Sequence, residues 1–207
     1  MKHSRAPAPL KRLVVATANA GKLREFRFAL AGLPFDLVSQ SALGVAPPEE
    51  TGSSFAANAL LKARHAAAAT GAAAIADDSG LEVDALGGAP GIYSARYAGA
   101  GADDAANNAK LRAALAGLEM AERRARYRCA VAFVDGPGDP APQTAEGMWE
   151  GFVLDAPRGS SGFGYDAYFW LPELKMTAAE LEPEEKNRRS HRGQALRSLR
   201  ERLAARA

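Results

Sequence analysis

The first third of the chain has the apolar pattern of a strand, a loop and two helices. Residues 13–16 form a short apolar run typical of a buried strand, and apolar residues then recur at helical spacing from Leu23 to Leu33. A connection containing Pro47-Pro48 precedes a second predicted helix, from about Ser54 to Thr70, which Gly71 ends. The order of these elements indicates an α/β protein.

The remaining two thirds continue to mix strands and helices. Another apolar run, residues 72–76, predicts a strand, and a turn-rich segment follows it through Gly101. Residues 127–133 alternate between apolar and other side chains, as a strand with two unlike faces does. Further predicted elements are a helix carrying Leu111, Leu115 and Leu118, a turn at 136–142, a strand at 148–154 and a final amphipathic helix carrying Leu196, Leu199 and Leu203.

Composition limits the classes of protein that fit this pattern. A chain of 207 residues suits one domain or two closely joined lobes, so we expect a loose tail at residues 1–10 and a single domain over 11–207. The net charge of +2 argues against a dedicated nucleic-acid surface. Cys129 is the single cysteine, which excludes a disulfide framework and favours a cytoplasmic location. No apolar run approaches the ~20 residues needed to span a bilayer, so we expect no membrane association.

Two adjacent carboxylates, Asp77 and Asp78, are the most informative feature of the chain. They directly follow the apolar run and precede Ser79-Gly80, which predicts that they lie at the end of a buried strand. Carboxylates there are costly unless a positive group neutralises them. A hard cation such as Mg²⁺, with an anionic substrate beyond it, would do so. The alternative is a solvated turn that needs no metal.

The segment Thr17-Ala18-Asn19-Ala20-Gly21-Lys22 lies between the first strand and the first helix. Backbone amides at such a loop and helix N-terminus favour an anion, and Lys22 adds a positive charge, so a phosphate is a candidate ligand. The segment is not a Walker A loop, because Ala16 stands at the first glycine and Leu23 at the Ser/Thr position. An ordinary turn with an exposed lysine is the alternative.

Glu49 and Glu50 precede the second helix and are further candidates for a metal site with Asp77 or Asp78. Their other interpretation is charge that stabilises a helix N-terminus. Lys62 lies in that helix as a candidate phosphate ligand or an ordinary solvated lysine. His65 is interpreted as a surface or packing residue.

Aromatic and basic residues near the end of the chain are candidates for contacts with a nucleotide. Phe163 stands between glycines, where an exposed ring can stack on a base, whereas Phe169 and Trp170 are interpreted as core residues. Residues 186–192, directly before the last helix, are rich in groups that donate to phosphate or to a base carbonyl. Within them the His191-Arg192 pair is suited to a base edge, and the other arginines are expected on a solvated face.

These motifs, in this order, resemble the inosine triphosphate pyrophosphatase family, the non-canonical purine nucleoside triphosphate pyrophosphatases, also called HAM1-like. The resemblance extends from Leu13 to about Leu203. It is carried by the segments Thr17–Lys22, Glu49–Gly52, Asn58–Ala63, Ala76–Leu81, Gly87–Tyr97, Gly162–Asp166 and Ser190–Arg192.

The resemblance implies an elongated, two-lobed α/β fold around a long, mixed, strongly twisted sheet with flanking helices and an active-site cleft between the lobes. It also implies Mg²⁺-dependent hydrolysis of ITP, dITP and XTP to the monophosphate and pyrophosphate by a cytoplasmic homodimer. Asp78 would be proton acceptor and metal ligand, assisted by Lys22 and Lys62, with Glu49 or Glu50 and Asp77 as further candidate ligands. The implied substrate-binding residues are Thr17, Ala18, Asn19, Ala20, Gly21, Lys22, Ser79, Arg96, Phe163, Gly164, Tyr165, Asp166, Lys186, His191 and Arg192.

Three alternatives have different functional consequences. A pyrophosphatase of the Maf type would act on modified pyrimidine or methylated nucleotides, and a nucleotide sensor would keep the pocket without turnover. The carboxylate and lysine candidates argue against a sensor, and the near-neutral charge disfavours RNA binding. Family members often carry glycine where Ala18 stands, and a positive φ there would be costly for alanine.

Overall fold

The computed structural model describes residues 10–204 and contains one mixed sheet with helices on both faces. The predicted tail at 1–10 lies outside the described residues except for Leu10. The strands are β1 (Lys11–Val15), β2 (Phe35–Ser39), β3 (Ala73–Val83), β4 (Arg124–Val134), β5 (Gln143–Val153), β6 (Phe169–Leu171) and β7 (Met176–Thr177). The helices are α1 (Ala20–Ala29), α2 (Phe55–Thr70), α3 (Asp104–Ala114), α4 (Pro183–Arg189) and α5 (His191–Ala204).

The strand order in the sheet is β2-β1-β3-β4-β5-β6-β7. β1 is parallel to both β2 and β3, and every later pairing is antiparallel. The predicted fold class, a mixed α/β sheet flanked by helices, is therefore confirmed. Among residues 10–204, no helix is both long and apolar enough to cross a membrane.

Local signals explain where the helices begin and end. Asn19 caps α1 by accepting a hydrogen bond from the backbone of Lys22. Ser54 caps α2 in the same way, and Gly71 ends it with a φ of 69°, a left-handed conformation that glycine adopts readily. These bounds match the second helix predicted from the sequence.

Apolar side chains pack in three groups around the sheet. One lies under α1 and α5, and a second, rich in alanine, lies under α2 on the opposite face of β1, β3 and β4. The third surrounds the far ends of β3, β4 and β5 and includes α3 and β6. Small side chains such as Ala63 and Ala74 let α2 approach the sheet closely.

Three sequence predictions need correction. Asp77 and Asp78 lie in the middle of β3, opposite Val131 and Ala130 of β4, and not at a strand end. The strand continues because cationic partners compensate for the cost of the buried carboxylates. The short strands β2, β6 and β7 have no counterpart in the prediction. His191 and Arg192 form the start of α5 instead of preceding it, and Lys186 lies within the short helix α4.

Candidate active site

Asp77 and Asp78 point to opposite faces of β3 because successive side chains of a strand alternate. Asp78 faces α2, where it contacts Lys62 and Asn58. Asp77 faces α1 and α5, where it contacts Lys22 and Arg192. One short segment of β3 therefore supplies a carboxylate to two separate clusters.

The α2-facing cluster is centred on the ammonium of Lys62. The Lys62 Nζ lies 2.7 Å from Asp78 Oδ1 and 2.6 Å from Glu50 Oε1. The second carboxylate oxygen of Glu50 accepts a hydrogen bond from Arg96 Nη1 at 3.0 Å. Asn58 donates to Asp78 at 3.2 Å and also accepts from the backbone of Gly52, which fixes the loop that carries Glu50. The cluster thus joins β3, α2 and two loops.

Burial and charge shift the pKa values in this cluster in opposite directions. Burial raises the pKa of Asp78 above its ordinary value, although Lys62 acts to lower it, and nearby Glu50 raises it further. Burial also acts to raise the pKa of Glu50, but the ammonium of Lys62 and the guanidinium of Arg96 outweigh it and lower that pKa. Asp78 is therefore the more basic of the two carboxylates.

The sequence left Glu49 and Glu50 as equal candidates, and the structure separates them. Glu49 is exposed, whereas Glu50 is partly buried and contacts Lys62. Within residues 10–204, no three acidic, histidine or cysteine side chains converge as a ready-made metal site. Asp78 and Glu50 both contact the ammonium of Lys62.

The Asp77 cluster is almost completely enclosed. Asp77 is 2 % exposed, and its Oδ2 atom lies 2.9 Å from Lys22 Nζ, 3.0 Å from Arg192 Nε and 2.8 Å from Ser79 Oγ. Burial acts to raise the pKa of Asp77, but Lys22 and Arg192 outweigh it and hold that pKa well below its ordinary value. Arg192 also contacts Glu25 of α1 at 2.6 Å. Asp77 therefore connects the start of α1 to the start of α5.

The segment from Thr17 to Lys22 forms the turn into α1. Thr17 is buried and its hydroxyl accepts a hydrogen bond from the backbone of Asn19, while Ala18, Asn19 and Ala20 are exposed. Among the described residues, Lys175 is the single non-glycine residue with a positive φ, so Ala18 adopts a conformation that alanine tolerates. This turn leaves backbone amides at a helix N-terminus beside the side chain of Lys22.

The segment from Phe163 to Asp166, here called the aromatic loop, is held from several sides. The Asp166 carboxylate accepts hydrogen bonds from the backbone of Phe163 at 2.8 Å and from Lys186 Nζ at 2.6 Å. Asp104 and Asn108 of α3 bind the backbone N–H and carbonyl of Gly164, at 2.7 and 2.9 Å. The Tyr165 hydroxyl donates to the carbonyl of Ser94 at 2.8 Å.

The partly exposed ring of Phe163 lies close to cationic groups. Lys186 Nζ is 5.0 Å from the ring centroid and Arg192 Cζ is 5.6 Å from it. The ring also approaches Gly21, where an added Cβ would come within 3.1 Å of it. The aromatic loop therefore meets the turn into α1 across the site.

His191 is buried at the start of α5, and its Nδ1 atom has no hydrogen-bond partner. Its ring stacks on Tyr127 of β4, with centroids 4.5 Å apart and planes at 9°. Burial lowers the pKa of His191 well below its ordinary value, and Arg192 and Lys186 lower it further, so the imidazole is neutral at physiological pH. Gly147 and Gly193 let this end of α5 pack closely on β5 and α4.

A cavity of about 170 Å³ extends from the turn into α1 to the aromatic loop and the start of α5. Asn19 and Lys22 lie at one end, Ser79 lines it, and the aromatic loop surrounds it together with Lys186, His191 and Arg192. Asp78, Lys62, Glu50 and Arg96 lie outside the cavity lining. The cavity thus adjoins the Asp77 cluster.

Several residues at this site were not predicted as functional. Glu25, Tyr127, Asp104 and Asn108 contact predicted site residues, but in sequence they read as ordinary helix and strand positions. His65, in contrast, matches its prediction as a surface or packing residue, because its ring contacts the backbone of Ala46 in an exposed region.

Sequence comparisons with known proteins identify the family of this chain. The model of the Ham1 family matches residues 13–202. A dITP/XTP pyrophosphatase from Thioalkalivibrio sulfidiphilus is 57% identical over 94% of this chain and 100% of that protein. One from Methylococcus capsulatus is 54% identical over 94% of this chain and 97% of that protein.

Solved structures of Ham1 proteins have the same fold as this chain. The structure of a HAM1 protein from Coxiella burnetii superposes with a TM-score of 0.87 and 45% identity, covering 95% of this chain and 100% of that one. The Staphylococcus aureus Ham1 protein gives a TM-score of 0.83 and 40% identity over 95% of this chain and 100% of that chain. From Leu13 to Arg202, therefore, this chain belongs to the Ham1 family.

Proposed function

We propose that this chain hydrolyses the non-canonical purine nucleoside triphosphates ITP, dITP and XTP to the monophosphate and pyrophosphate, which keeps them out of DNA and RNA. The single observation that carries the proposal is that successive residues of β3 join a cavity ending in Phe163 and His191, which Ser79 lines, to the Asp78 carboxylate that contacts Lys62. The names of the relatives from Thioalkalivibrio and Methylococcus support the same substrate class.

The triphosphate binds at the α1 and α2 side of the site. Backbone amides at the start of α1 and the side chain of Lys22 attract its oxygens. Burial acts to lower the pKa of Lys62, but Asp78, Asp77 and Glu50 outweigh it and raise that pKa, so the ammonium stays charged. Lys22 and Lys62 together balance part of the substrate's negative charge.

The donor set beside Lys62 fits Mg²⁺. Asp78 and Glu50 present carboxylate oxygens, which Mg²⁺ prefers, and each has an oxygen within 2.7 Å of the same ammonium. Asp77 points to the opposite face of β3 and Glu49 is exposed, so we assign the ion to Asp78 and Glu50. When bound, Mg²⁺ supplies charge that stabilises the reacting phosphates.

Asp78 is the proton acceptor in the proposed reaction. Its raised pKa makes it a stronger base than an ordinary aspartate. The oxygen of a water molecule attacks the α-phosphorus, and the bond from that phosphorus to the α,β-bridging oxygen breaks. The water proton passes to Asp78 and then to solvent, and pyrophosphate leaves.

The side of the cavity that carries Phe163, His191 and Arg192, called the base end, selects the substrate. Phe163 provides a stacking surface, and neutral His191 together with Arg192 provides donors for the 6-carbonyl of hypoxanthine or xanthine. Adenine presents an amino group at this position, which leaves those donors without an acceptor and weakens binding.

Pyrophosphate release from dITP, XTP, GTP, ATP and a modified pyrimidine triphosphate, with Mg²⁺ and with a chelator, tests this function. We expect preference for dITP and XTP, and loss of activity with the chelator. Equal turnover of the four purine nucleotides would contradict the selectivity, and preference for the pyrimidine would favour the Maf-type alternative.

The family resemblance also underlies our proposal of a cytoplasmic homodimer with neither a stable nucleic-acid partner nor a membrane. Light scattering coupled to size exclusion tests the dimer. A mass of about twice 21.7 kDa is expected, and a mass near 21.7 kDa would contradict it.

A further inference from the structure

The imidazole of His191 is not held through its Nδ1 atom. Among the described residues, this buried nitrogen has no hydrogen-bond partner. Hydrogen bonds weaken steeply when donor and acceptor are misaligned, so a residue that reads a base edge needs a fixed ring plane. Packing must therefore fix the plane of this ring.

Tyr127 supplies that packing. Its ring lies nearly parallel to the imidazole, with centroids 4.5 Å apart. The Tyr127 backbone is held between Leu81 of β3 and Trp149 of β5, and its ring also packs against Phe169 with centroids 4.6 Å apart. Tyr127 is thus a rigid platform in the middle of the sheet, and it lines the cavity.

Tyr127 and Asp166 line the same cavity. Burial raises the pKa of Tyr127 well above its ordinary value, and the charge of the nearby Asp166 carboxylate raises it further. That carboxylate binds the backbone of Phe163 and the ammonium of Lys186. Tyr127 therefore stacks on His191 and lines the cavity together with the aromatic loop.

We infer that Tyr127 is a positioning residue for base selection, whose ring orients His191 towards the 6-position of the purine. This inference deepens the proposed function and rests on it. The flat ring is the essential part, because it is the ring of Tyr127 that stacks on His191. Loss of the ring frees the imidazole to rotate, which weakens discrimination between a 6-carbonyl and a 6-amino group while leaving the phosphate end unchanged.

Equilibrium binding of IMP, AMP and inorganic tripolyphosphate tests the inference with the wild type, Tyr127→Phe, Tyr127→Leu and Tyr127→Met. Phe retains the ring, whereas Leu and Met fill space without a flat face. We expect the Leu and Met variants to lose about tenfold of the IMP-over-AMP preference, the size of one misaligned hydrogen bond. The Phe variant should stay within about threefold of the wild type, and tripolyphosphate should bind all four alike.

A preference for IMP that survives in either the Leu or the Met variant would overturn the inference while leaving the proposed function intact. A wild type that does not distinguish IMP from AMP would contradict the proposed base selectivity itself, and the inference with it.

Carbon-proton NMR of the histidine rings gives a second measurement that does not need a folded Leu or Met variant. The chain has 3 histidines, so His191→Asn assigns the signal. We expect the ring current of a stacked aromatic to shift the His191 protons upfield of those of His65 in the wild type and in Tyr127→Phe. Coincident signals would overturn the inference.

Discussion

Beside α2, ion pairs occupy both carboxylates and the ammonium of the site, whereas beside α4 and α5 the rings of Tyr127, Phe163 and His191 line a cavity. Lys62 lies within 2.7 Å of both Asp78 and Glu50. His191, by comparison, contacts Tyr127 by stacking and leaves Nδ1 without a partner. The comparison indicates a division of work, in which the charged end drives turnover and the aromatic end selects the base.

Asp77 lies between the charged end and the aromatic end of the site and contacts a residue of each. It binds Lys22, a proposed phosphate ligand, and Arg192, a proposed base ligand. Ion pairs of this kind hold side chains in place, since a buried charge that loses its partner is strongly unfavourable. Changes at Asp77 should therefore affect stability, whereas changes at either end should affect one step of function.

The largest expected effect is on turnover by Asp78→Asn. The variant keeps the shape of the side chain but cannot accept the water proton, so we expect kcat for dITP to fall about 10³-fold or more. Asp36→Asn, an exposed carboxylate on the edge strand β2, is the control and should leave kcat unchanged. Turnover of the Asp78 variant within tenfold of the wild type would rule out its role as base.

The next effect is on stability, through Asp77→Asn. Removing this carboxylate leaves Lys22 without its ion-pair partner and the buried Arg192 with Glu25 alone, which should cost about 3–5 kcal/mol of unfolding free energy. Because the folded pKa of Asp77 is depressed, its contribution is present above about pH 4 and is lost as the pH falls further.

Urea unfolding between pH 7 and pH 3 measures this effect. The wild type should lose more stability on acidification than the Asp77 variant does. Asp135→Asn, which breaks the exposed pair with Lys11, is the control and should cost less than about 1 kcal/mol. Parallel stability profiles for wild type and Asp77→Asn would show that the carboxylate does not have a depressed pKa.

A smaller effect, on metal dependence, separates two neighbouring glutamates. Glu50→Gln should raise the Mg²⁺ concentration for half-maximal activity ten- to a hundredfold, since it removes a proposed ligand and the second partner of Lys62. Glu49→Gln changes an exposed carboxylate and should have little effect. Magnesium titrations of activity check both, and equal responses of the two variants would contradict the assignment of Glu50.

The smallest effect is on nucleotide binding, through Phe163→Leu. Loss of one stacking surface should weaken IMP and GMP binding by about tenfold, since stacking contributes about 1–3 kcal/mol. Binding of inorganic tripolyphosphate should not change, and Phe163→Tyr should retain the affinity for nucleotides. Calorimetric titrations measure all three ligands, and a parallel loss of tripolyphosphate binding would show that the two ends are not separate.

The sequence predicted much of this architecture where one local signal dominates. Ser54 and Gly71 bound α2 because a serine cap and a left-handed glycine are local devices. The centre of β3 was misjudged because Asp77 and Asp78 resemble turn residues, and the partners that allow them inside a sheet come from distant helices. Strand β2 was not predicted because five residues are too few to show a clear alternation of apolar and polar side chains.

In the candidate site, too, some residues could be predicted from local motifs and others could not. Its principal residues could be predicted because their motifs stand in a specific order, but the choice between Glu49 and Glu50 depends on how a loop folds onto α2. Tyr127 and Glu25 gave no sequence signal, because their roles arise from contacts with residues 64 and 167 positions away. Such contacts exist only in the folded chain.

A crystal structure of Asp78→Asn with dITP tests the central claim most directly. The account predicts the triphosphate beside Lys22 and Lys62, with hypoxanthine stacked on Phe163 and its 6-carbonyl facing His191. Phosphates bound away from Lys22 and Lys62, or a base outside the aromatic loop, would contradict it.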